Sequence, residues 1–123
     1  MKHILTVCLL LIALPAAMGA QSRAKREVAR PQIKEAERRL SELGYWTGPV
    51  DGVMDPGTQS ALVAFQKWEG RPVSGRLTVR ELEAIRNSAP PQARELGYEH
   101  VEVDVDRQVL LLVNSEGGVR VLP

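Results

Sequence analysis

Hydrophobic positions along this chain repeat with two different periods. Ile33, Ala36, Leu40 and Leu43 recur at three- and four-residue spacing, so they share one helix face, with Glu35, Arg38, Arg39 and Glu42 on the other. That helix is predicted from Pro31 or Gln32 to Leu43, because proline suits the first helical position and Gly44 the left-handed residue that ends a helix. A second helix opens at Asp55-Pro56-Gly57-Thr58, with Asp55 capping free amides. It lays Ala61, Leu62, Phe65 and Trp68 inward, and Gly70 and Pro72 stop it. Thr78-Val79-Arg80-Glu81 reads as a capping box for a third helix, which turns Val79, Leu82 and Ile85 inward and frays near Asn87. Residues 32–87 thus form a three-helix unit near the lower size limit, where one core rarely supplies more than ~3–5 kcal/mol. Phe65, Leu40 and Leu62 are expected to contribute much of it. Turns at Asp51-Gly52 and Ser74-Gly75 precede the last two helices like a degenerate repeat, too short for a solenoid.

Residues 88–97 read as a linker around Pro90-Pro91, with one helical turn from Gln92 to Leu96 ended by Gly97. The period then drops to two. Val101, Val103 and Val105 alternate with Glu102, Asp104 and Asp106, which marks a half-buried strand with Glu99 and those acids on its wet face. A turn at Asp106-Arg107 leads to Val109–Val113, apolar on both faces and so in need of cover on both. Residues 119–122 begin a third strand. Three short strands alone are marginal, so residues 98–123 are expected to be the start of a larger β-domain. The fold class that follows is α+β: a small three-helix bundle, then an incomplete antiparallel β-meander.

The first 20 residues have a different character. Lys2 and His3 precede an apolar run from Ile4 to Leu14, then Pro15 and small residues, the order of a secretory signal cleaved near Gly19 to Gln21. The run is short of the roughly 20 residues a spanning helix needs; a retained signal anchor is the alternative. Export to the periplasm or the extracellular cell wall is therefore expected, with membrane contact only through the signal before cleavage. Residues 21–31 form a basic leader carrying Arg23, Lys25, Arg26 and Arg30. The whole chain has 16 basic and 15 acidic residues; losing Lys2 with the signal leaves 15 of each, a neutral balance that argues against nucleic acid as partner. The one cysteine, Cys8, lies in the apolar run, so no intramolecular disulfide can form. Nothing in the sequence fixes an oligomeric state.

Candidate chemistry is concentrated in Tyr45-Trp46-Thr47-Gly48-Pro49-Val50-Asp51-Gly52. Tyr45 and Trp46 sit where the first helix ends; such rings can stack on the apolar face of a sugar, or one can plug the helical core. Asp51 can contact a ligand or fix its own turn. Gln66 can bind a peptide amide or tie a loop. A catalyst is harder to find. The mature chain has no thiol nucleophile, and only His3 and His100 exist, with no cluster at metal-ligand spacing. Neither a metal nor another cofactor is expected, and the strand carboxylates lack the paired environments of a glycosidase.

Taken in order, Leu43-Gly44-Tyr45, Gly48-Pro49-Val50-Asp51-Gly52, Thr58, Ala61-Leu62, Phe65-Gln66, Pro72-Val73-Ser74-Gly75, Thr78 and Leu82 closely resemble the peptidoglycan-binding domain family. Ser74 stands where that family usually has an aspartate. The resemblance implies a non-catalytic three-helix module that brings an attached enzyme to peptidoglycan, through its glycan or its stem peptide. His100 to Asp104, Arg107 to Leu110 and Val119 to Pro123 are similar to the opening strands of the L,D-transpeptidase catalytic domain. Those enzymes use a cysteine in a Ser-His-Gly-Cys type motif, absent here, and His100 matches none of their catalytic histidines. Three readings follow: a secreted peptidoglycan-binding module without catalysis, the N-terminal part of an L,D-transpeptidase whose cysteine motif is missing from this chain, or an interaction or structural module that no longer binds glycan.

Overall fold

A computed structural model describes residues 28–123; the expected signal at 1–20, and the basic leader up to residue 27, lie outside the described residues. Helices α1 (Arg30–Glu42), α2 (Pro56–Trp68) and α3 (Val79–Asn87) are followed by strands β1 (His100–Asp104), β2 (Val109–Val113) and β3 (Val119–Leu122). The strands form one antiparallel sheet in the order β1-β2-β3, with Glu102 opposite Leu111 and Leu111 opposite Val121.

The helix ends follow the local chemistry of the sequence. Asp55 Oδ1 accepts the Thr58 amide at 2.7 Å and Thr78 Oγ1 accepts that of Glu81 at 3.1 Å, each satisfying a donor that the first turn leaves free. The expected reciprocal half of the Thr78–Glu81 box does not form. Glu81 turns its carboxylate to the Arg71 guanidinium instead, at 3.0–3.1 Å, because a charged partner outbids a backbone amide already near solvent. Val79, expected inward, is exposed; Leu82 and Ile85 carry the buried face of α3. The helical turn expected between Gln92 and Leu96 is absent, replaced by bends.

Helices and sheet share one buried cluster. Leu40, Leu43, Tyr45, Leu62, Phe65, Leu82 and Ile85 from the helical unit merge with Val109, Leu111, Val113 and Val121 from the sheet. The seam is the chain just after α1. Gly44 accepts the Val121 amide at 2.9 Å through its carbonyl, and Tyr45 pairs in parallel with Val121, extending the sheet by one short segment. Gly44 is obligatory there: its φ is +97°, and a Cβ would stand 2.4 Å from the Val119 carbonyl oxygen.

The faces of β1 are reversed relative to the sequence reading. Val101, Val103 and Val105 point outward, while Asp104 is buried and Glu102 nearly so. The alternation was legible, but its hand was not. The acids win the inner face because each finds donors there. Glu102 Oε1 accepts the amides of Arg94 at 2.8 Å and Glu95 at 3.1 Å and pairs with His100 Nε2 at 3.0 Å. Asp104 accepts both the amide and a guanidinium nitrogen of Arg107 at 2.9 Å. Carboxylates with such donors can be enclosed at little net cost.

Candidate functional site

The aromatic turn between α1 and α2 is built from the inside by Glu37. This carboxylate is fully buried; its Oε2 accepts the Gly52 amide at 2.8 Å and its Oε1 accepts the Thr58 hydroxyl at 3.1 Å. One side chain on α1 thus ties down both the Asp51-Gly52 turn and the first turn of α2. Gly52 has φ +81°, and a Cβ on it would meet the Arg30 carbonyl at 2.8 Å, so the turn is pressed against α1. Glu37 was missed in the sequence reading, although the signal existed: it lies four residues after Ile33 and three before Leu40, on the inward stripe.

The four residues singled out from the sequence divide cleanly. Tyr45 is enclosed, its ring edge-on to Phe65 with centroids 5.8 Å apart. Its hydroxyl is buried without a hydrogen-bond partner, and desolvation, aided by the charge of Glu69, pushes its pKa far above the ordinary phenol value. Gln66 is also enclosed. Its Oε1 accepts the amides of Ser74 at 2.8 Å and Gly75 at 2.9 Å, while Nε2 donates to Ser74 Oγ at 3.2 Å, so its side chain is engaged by the second turn. Asp51 is exposed and fixes its own turn by accepting the Val53 amide at 2.9 Å. Its carbonyl oxygen accepts a 3.4 Å bond from Arg30.

Only Trp46 among the aromatics of this turn faces solvent, at 56% exposure. Val50, Val53 and Met54 of the same loop are exposed as well. The arrangement is a rigid loop, anchored by Glu37, that presents one indole and several aliphatic side chains outward. It can stack and exclude water. Among the described residues no three His, Cys, Asp or Glu side chains are grouped so as to hold a metal, and no helix is long and apolar enough to cross a membrane.

Comparison with known proteins agrees with this architecture. Residues 29–85 match the family model described as "Putative peptidoglycan binding domain". The localization factor PodJL of two Caulobacter vibrioides strains is 36% identical over 64 residues, which is 52% of this chain and 7% of that protein. Among solved structures, an L,D-transpeptidase fragment from Xylanimonas cellulosilytica superposes with a TM-score of 0.66 at 34% identity, covering 74% of this chain and 45% of that one. The chain therefore spans a small part of its curated relatives and under half of the transpeptidase structure. Residues 29–85 thus form a domain of the peptidoglycan-binding type, and the strands after them continue as a partial L,D-transpeptidase-like sheet.

Proposed function

We propose that this chain is a cell-wall module that binds peptidoglycan through the aromatic turn and carries no catalysis of its own. The observation that carries the reading is Trp46: an indole held in solvent by a loop that Glu37 anchors from within, next to the enclosed Tyr45. Exposing so large an apolar ring costs solvation free energy, and a sugar ring stacked on it would recover that cost. The glycan is favoured over the stem peptide because Gln66, suited to a peptide amide, is already engaged by the Ser74-Gly75 turn. Asp51, exposed on the same loop as Trp46, is the polar group proposed to accept from sugar hydroxyls. Export by residues 1–20 to the periplasm or outer cell wall belongs to the same proposal and is supported by the composition of that segment.

The test is co-sedimentation of the purified protein with insoluble peptidoglycan. The protein is expected in the pellet, and Trp46→Ala in the supernatant with an unchanged fold. Wild-type protein left wholly in the supernatant would overturn the proposal.

A second reading is supported by the sheet. The chain covers less than half of an L,D-transpeptidase fragment at 34% identity, and β2 exposes Leu110 and Leu112 on a face that a further layer would bury. In this reading residues 28–123 are the front of a peptidoglycan cross-linking enzyme. A reading frame after Pro123 encoding further strands and a Ser-His-Gly-Cys type motif would support it; a stop codon there in the native gene would sink it.

A further inference from the structure

The aromatic turn is held at two points, and one of them belongs to the sheet. At its far end the Gly52 amide bonds to Glu37 of α1 at 2.8 Å. At its near end the Gly44 carbonyl accepts the Val121 amide of β3 at 2.9 Å, and Tyr45 pairs in parallel with Val121. Trp46 is next in the chain to that pairing, whereas Gly52 lies well beyond it. An extended segment sends successive side chains to opposite sides. With Tyr45 enclosed against Phe65, the following indole is turned out into solvent. Its direction is therefore set beside β3, while Glu37 fixes the rest of the turn.

The Val121 amide is free to serve the turn alone. In an antiparallel pair the amide and carbonyl of one residue point to the same side. That of Val121 points at Gly44, so this residue, opposite Leu111, makes no ladder bond to β2. Strand and turn are also in close backbone contact, since a Cβ on Gly44 would stand 2.4 Å from the Val119 carbonyl oxygen. The Val121 side chain is enclosed in the same cluster as Tyr45, and so tightly packed a seam leaves β3 no room to move without moving the residue before Trp46.

We propose that β3 is part of the wall-binding machinery: the Val121 backbone amide is a positioning group that fixes Trp46 for a stacked sugar, and binding of the sugar tightens the Gly44–Val121 bond in return. The proposal rests on the reading of Trp46 as the residue that stacks on glycan. The two halves are one coupling. A docked strand reduces the ordering that the ligand must impose on the turn, and a bound ligand favours the docked strand by the same factor. Contact with the wall is thereby felt in the sheet.

Val121→Pro removes the donor without removing a ladder bond. It is expected to keep its circular dichroism, to lower the steady-state 15N NOE of the Trp46 indole N–H, and to weaken co-sedimentation with insoluble peptidoglycan about tenfold. Hydrogen exchange of wild-type protein bound to the same peptidoglycan, read by mass spectrometry, is expected to slow in β3 more than in β1. A Val121→Pro protein that binds as tightly as wild type, or keeps as rigid an indole, overturns the proposal. Wild type left in the supernatant overturns the wall-binding reading and this proposal with it. Wild type that pellets while its β3 and β1 exchange slow equally, or not at all, overturns this proposal alone. Should Val121→Pro lose its native spectrum, the exchange comparison on wild type decides.

Discussion

Replacing Glu37 by alanine should unfold the aromatic turn from within. The side chain is fully buried and satisfies two donors, the Gly52 amide at 2.8 Å and the Thr58 hydroxyl at 3.1 Å. Each buried donor left unpaired costs about 1–3 kcal/mol. The Thr58 hydroxyl has a partial alternative, since the carbonyl oxygens of Thr47 and Val53 both lie 3.5 Å away, so its share falls at the low end. Gly52 has none and takes the high end. Together with the space left by the removed atoms, Glu37→Ala should cost about 3–5 kcal/mol. For a domain of this size that lowers Tm by more than 10 °C, at roughly 4–8 °C per kcal/mol. Glu37→Gln is the control. Its carbonyl oxygen can still accept the Gly52 amide, and its NH2 can donate to Thr58 Oγ1 while that hydroxyl turns to Thr47, so it should cost about 1 kcal/mol. Urea unfolding followed by circular dichroism measures both. An alanine variant less than ~1 kcal/mol below wild type would refute the role given to Glu37. So would a glutamine variant as unstable as the alanine one.

Phe65→Ala should cost roughly 3–5 kcal/mol, because the ring is wholly enclosed and packs edge-on against Tyr45. Helix and sheet signals should be lost together in a thermal melt, since both sides share its cluster; a sheet that melts separately would contradict the shared core. Trp46→Ala should change stability by less than about 1 kcal/mol yet abolish co-sedimentation with peptidoglycan, whereas Tyr45→Phe, which removes a buried hydroxyl with no partner, should be neutral or slightly stabilising and bind normally. Stability should also depend on pH at the β1 pair. The Glu102 carboxylate holds the His100 pKa above its ordinary value of 6.5, so this contribution is complete below 6.5 and lost as pH rises through the raised value. The Glu102 and Asp104 carboxyls are held below their usual range, by His100 and by Arg107 respectively, so theirs is complete above the ordinary carboxylate values and lost on acidification. Urea midpoints across pH should show both limbs, and His100→Gln should remove the alkaline one and shrink the acidic one, leaving the part that Arg107 gives through Asp104.

Much of the fold was legible because it is locally encoded. Pro31, Gly44, Asp55 and Thr78 mark helix ends through φ preferences and amides that need partners, requirements that neighbouring residues meet. The candidate site was legible as a segment, not as a set of contacts. Tyr45 and Trp46 are adjacent and chemically alike, yet one is enclosed against Phe65 and the other faces water, because the chain pairs with β3 there in extended form and successive side chains alternate. Gln66 and Glu37 both read as polar residues open to several roles until distant partners, at Ser74-Gly75 and at Gly52 and Thr58, defined what each does.

The sequence by itself determined three helices, three strands, the turns between them and the type of the helical domain, since periodicity, capping and glycine placement depend on near neighbours. Tertiary structure alone decided which face of β1 turns inward. A period of two names two faces without ranking them, and the hydrophobic effect by itself would have buried the valines. Donors from Arg94, Glu95 and Arg107, brought beneath the strand by the folded chain, made the inner face the better place for Glu102 and Asp104. That reversal leaves Val101 and Val103 outward, a surface the sequence had assigned to the core.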